Sequence, residues 1–133
     1  MRSAVSAAAM VALAACAHQP EARVRVDRAV ASRVLASAAA QVRRCYRSPR
    51  ASTSGRRIVT RLAIRLNADG TLAELPVVVS QSGVNQNNGA EAPRMAEAAS
   101  LAVIRCVPLR LPPEHYGQVW QSFELTFSPA MRV

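Results

Sequence analysis

The sequence predicts an α+β domain of two layers, a three-stranded antiparallel sheet of order 2-1-3 with two helices on one face. Three observations lead there. Two segments repeat apolar residues at spacings of three and four, three others alternate with period two, and the order is helix, strand, strand, helix, strand. A hairpin joins the first two strands. The second helix then returns the chain for a third strand beside the first, in a right-handed crossover.

The first helix is expected from Asp27 to Tyr46, where Val30, Val34, Ala38, Val42 (or Gln41) and Cys45 fall on one stripe. Asp27 suits its start, and Pro49 lies just beyond its end. The run RSPRASTSGRR reads as loop. In IVTRLAIRL, Ile58, Thr60, Leu62, Ile64 and Leu66 point one way, with Arg61 and Arg65 on the other side. That is a half-buried strand. NADGTL is a hairpin turn at Asp69-Gly70, and the return strand is expected over residues 71–80. Pro76 lacks an N–H, so this strand must be an edge or be interrupted there. From Ala90 to Cys106 the helical period returns, with Met95, Ala98, Ala99, Ala102, Val103 and Cys106 on one face. Pro108 stops it. QVWQSFELTF alternates again and forms the last strand.

The N-terminal segment addresses localisation. MRSAVSAAAMVALAAC has a basic residue, a short uncharged apolar run and then Leu-Ala-Ala-Cys, the layout of a lipoprotein-type export signal. On this reading residues 1–15 are removed, Cys16 is lipidated, 16–26 form a short tether and 27–133 form the domain. Ala17 in place of an aspartate favours the outer membrane. Ala15-Cys16-Ala17 also suits ordinary signal peptidase, which would release a soluble product from His18. An uncleaved anchor is the third reading, and in every version the domain faces the oxidising periplasm.

Apolar residues make up 50 % of the 133, yet much of that is alanine and aromatics are 4 %, so the core is thin and a covalent staple would help it. With Cys16 set aside, Cys45 and Cys106 remain, each at the end of a helix on its apolar face. In an oxidising compartment they are expected to form a disulfide. No metal site is expected, because the only histidines are His18 and His115. No phosphate loop, nucleophile elbow or carboxylate cluster is present, so neither a cofactor nor a catalytic residue is expected. All seventeen basic residues are arginines, scattered and not interleaved with aromatics, which gives nucleic acid no support.

The strand–NADGTL–strand–helix–AVIRCVPLRLP–WQSFELTFSP series resembles the C-terminal domain shared by TonB and TolA, and is most similar to alphaproteobacterial TolA-like proteins. Cys45, the stretch Val103-Ile104-Arg105-Cys106-Val107-Pro108, and Phe127-Ser128-Pro129 carry the likeness. The resemblance implies a non-catalytic envelope protein that binds components of a Tol-Pal or TonB-type system by strand addition, usually beside the last strand. The expected binding edge is Gln118, Val119, Trp120, Gln121, Ser122, Phe123 and Glu124, with Trp120, Ser122 and Glu124 facing away from the core. Trp120 is either a peptide anchor or a cap on the sheet's other side. Two other readings remain at this stage: a small exported enzyme or hydrolase inhibitor using Cys106 and His115, and a cationic protein that binds lipopolysaccharide or peptidoglycan phosphates.

Overall fold

The structure is a computed structural model and describes residues 19–129. Cys16 and the signal-type segment before it lie outside the described residues. The elements are α1 (Gln19–Arg43), β1 (Val59–Arg65), β2 (Val77–Ser82), α2 (Ala92–Cys106) and β3 (Ser122–Phe127). The sheet is antiparallel with order β2-β1-β3, and the fold is the α+β class expected.

β1 is the central strand, and its alternation decides the architecture. Ile58, Thr60, Leu62, Ile64 and Leu66 are all buried, whereas Arg61 and Arg65 are exposed. The helices cover the first set through Val34, Ala38 and Val42 of α1 and Ala99, Ala102 and Val103 of α2. Small residues on both helices bring the layers close, and the larger volume comes from Trp120, Phe123, Leu125 and Phe127. Tyr46 packs its ring against Phe127 with centroids 5.6 Å apart.

Three boundaries depart from expectation. α1 begins at Gln19 and not at Asp27, so most of the expected tether is helical. Pro20 falls in the first turn, where its missing N–H costs no hydrogen bond. The return strand begins at Val77 and not at Thr71. Beyond the turn only Leu72 bridges back to Leu66, and Ala73 N–H donates to the Arg65 carbonyl (2.9 Å). The chain then leaves the ladder through Pro76 and rejoins it for six residues, with a bulge at Val79. The third correction concerns Gln118, Val119, Trp120 and Gln121, which lie outside any strand. Tyr116–Trp120 is one wide turn, closed by Gln121 N–H donating to the Tyr116 carbonyl (2.8 Å).

Two loops are tied down by side chains. Asn88 is fully buried and donates to the carbonyls of Ser54 (2.9 Å) and Gly83 (2.8 Å), while its own Oδ1 accepts from Asn85 N–H (2.7 Å). Glu91 accepts from both the N–H (2.8 Å) and the hydroxyl (2.6 Å) of Ser52. The polar loop QSGVNQNNG, read only as a connection, thus fastens the start of α2 to the segment before β1.

Candidate strand-addition edge

Cys45 and Cys106 are joined, with S–S 2.05 Å and Cα–Cα 5.6 Å. The bridge links the end of α1 to the end of α2 across 61 residues. Closing a loop of that length stabilises the fold by about 4 kcal/mol in the chain-entropy account. It also leaves Cys106 with no free thiolate to serve as nucleophile or ligand. Beside it, Gln41 clamps the chain leaving α2: its Nε2 donates to the Arg110 carbonyl (2.9 Å) and its Oε1 accepts from Arg110 N–H (2.8 Å). His115 ends a short turn, Pro113–His115, and borders a shallow groove with Asp27, Val30, Gln118 and Val119. Among the described residues no group of three His, Cys, Asp or Glu side chains converges on a metal-sized space.

The expected binding residues separate into two groups. Trp120 is 1 % exposed and belongs to the core. Its indole N–H donates to the Pro112 carbonyl (2.7 Å) and its ring meets Tyr116 edge-on at 4.7 Å. Period-two alternation carried back from β3 through the turn predicts the outer face for it. The wide turn resets the phase and points the indole inward. Ser122, Phe123 and Glu124 do lie on β3; Phe123 is buried, and Ser122 and Glu124 face out.

Hydrogen bonding defines the free edge. Leu66 N–H donates to the Gln121 carbonyl (3.0 Å), and the register continues as Arg65–Ser122, Ile64–Phe123, Ala63–Glu124 and so on to Thr60–Phe127. Antiparallel pairs alternate between hydrogen-bonded and open, so Phe123, Leu125 and Phe127 engage β1. Ser122, Glu124 and Thr126 therefore turn their main-chain N–H and C=O groups away from the sheet. Among the described residues no strand pairs with that side.

Between this edge and α1 is a small notch of about 50 Å³, lined by Ala39, Val42, Arg43, Leu125, Thr126 and Phe127. Its floor is apolar and Arg43 stands at its rim. On the sheet's open face Arg61 pairs with Glu124 at 3.5 Å, both about half exposed. Such an exposed pair contributes at most about 1 kcal/mol. The notch and the clamp from Gln41 had no sequence signal, since each depends on residues far apart in the chain. No protein-family model, no curated protein and no solved structure matches this chain.

Proposed function

We propose that this chain is a non-catalytic envelope protein whose domain binds protein partners by adding their strand to β3, in the manner of the C-terminal domains of TonB and TolA. The observation that carries the reading is the open side of β3, where Ser122, Glu124 and Thr126 hold main-chain donors and acceptors with no partner strand among the described residues. An extended segment docked there gains a ladder of hydrogen bonds, and the notch beside Arg43 receives one of its alternate side chains. Components of a Tol-Pal or TonB-type system are the partners proposed. The lipobox-like Leu13-Ala14-Ala15-Cys16 supports a lipid anchor, and Ala17 supports the outer membrane.

Proline at Glu124 tests the edge. It removes an outward N–H while no hydrogen bond to β1 is lost, so the sheet should persist. Crosslinking in intact envelopes should capture partner protein with the wild-type chain and lose it with Glu124→Pro. Undiminished capture by the folded variant overturns the reading.

A further inference from the structure

The other edge of the sheet has a different chemistry. Leu75, Val77, Val78, Val79 and Val84 are between 42 % and 73 % exposed, and they gather on or beside β2. From Leu75 to Ala90 there is no charged residue, in a chain of net charge +9. Edge strands that remain free are usually blunted by charges or prolines within them. Val77–Ser82 carries no charge, and its interruptions are the bulge at Val79 and Pro76 immediately before the strand.

The hydrogen-bonding phase of β2 makes it a template. Leu62 directs its main-chain groups to Leu125 on β3, so its β2 partner Val78 directs its own N–H and C=O away from β1. Val78 is thus apolar and 42 % exposed, and its main-chain groups are unpaired at the edge.

We infer that β2 pairs antiparallel with β2 of a second copy of this chain, with Val78 near the two-fold axis, giving a continuous six-stranded sheet. Charge selects this occupant. An acidic partner would be drawn to the arginines at Arg43, Arg61 and Arg65, whereas another strongly cationic chain is repelled by them. The uncharged edge is where two such molecules can meet without opposing like charges. Around a two-fold axis, Val78 of each copy can exchange both N–H···O bonds with its equivalent, and the two Val78 side chains meet on the face that carries Leu62. One strand pair is a small contact, so a weak dimer is expected.

The test uses the full chain in intact cells, co-expressed in two differently tagged versions. Single cysteines placed at Val77, Val78, Val79 or Ser80 are oxidised, and cross-tag capture is read on non-reducing gels. Coupling should peak at Val78 and fall within two residues, and Thr126→Cys on β3 should give none. Val78→Pro, which costs no bond to β1, and Val78→Arg, which sets two cations at the axis, should each cut cross-tag capture at least tenfold. Absence of coupling at all four positions overturns the inference, as does coupling of Val78→Cys to a chain of different mass. Partner capture through β3 should survive Val78→Pro, while Glu124→Pro should spare the dimer, so the two readings fail separately.

Discussion

The indole N–H of Trp120 donates to the carbonyl of Pro112 over 2.7 Å, and this bond fixes where the last strand starts. Eight residues apart, the two groups close the Pro-Pro corner and the wide turn into one unit. Because the ring is buried against Tyr116, the chain leaves the turn at Gln121 already aligned with β1.

Trp120→Phe keeps most of the apolar volume but leaves the Pro112 carbonyl without its donor. The expected loss is about 1–3 kcal/mol in urea unfolding, from the buried unsatisfied acceptor and the unfilled volume. Partner capture by the folded variant should be unchanged, since Trp120 is not at the edge. A variant that is fully stable but cannot capture partner would return Trp120 to the binding surface.

The disulfide predicts a large redox effect. Unfolding of the wild-type chain with and without reductant should differ by about 4 kcal/mol, and Cys45→Ser with Cys106→Ser should match the reduced protein. Equal midpoints would show that the Cys45–Cys106 bridge is absent in solution.

Gly70 lies at φ +84, and a Cβ there would strike the carbonyl oxygen of Leu109, whose N–H donates to Gly70 O (3.0 Å). Gly70→Ala should therefore cost more than the ~1 kcal/mol of left-handed strain alone, since the corner after α2 must move. Thermal unfolding measures this. A loss under about 0.5 kcal/mol would mean the hairpin turn and the corner are not packed together.

Acid stability should depend on Glu91. The hydroxyl and then the N–H of Ser52 hold its carboxyl below the ordinary value of 4.5. Its folded pKa is thus lower than its unfolded one, so the stabilisation is complete above about the unfolded value and is lost as pH falls through the folded one. Asp69, lowered chiefly by the Thr71 hydroxyl from 3.8, acts in the same direction. Glu91→Gln should flatten the acid limb of a Tm-against-pH curve below about pH 5 and leave the neutral region parallel to wild type. An unchanged acid limb would show that Glu91 does not hold Ser52.

Much of the fold was legible in the sequence because local periodicity reports which face of an element is buried. Ile58 to Leu66 alternates without interruption, and every inward position is buried as read. The face of α2 through Met95, Ala99, Ala102 and Val103 was equally clear. Cys45 and Cys106 were placed as a pair by their positions at the ends of two helices. Element order and chain handedness then left little freedom in the topology.

What tertiary structure decided lies where periodicity is interrupted. Alternation extended back from β3 put Trp120 outside, but a turn of π type shifts the phase, and only packing against Tyr116 and Pro112 settles its direction. The late start of β2 follows from a ladder that Pro76 cannot join, although Leu72 and Ala73 already meet β1. The notch beside Arg43 and the clamp from Gln41 bring together residues from distant segments, so no window of sequence contains them. Sequence by itself determined which residues turn inward along each regular element, because side-chain direction there is a property of the local backbone. Which edge is apolar, which is flanked by a cation, and where each begins were set by long-range packing, because those depend on what the neighbouring layer leaves uncovered.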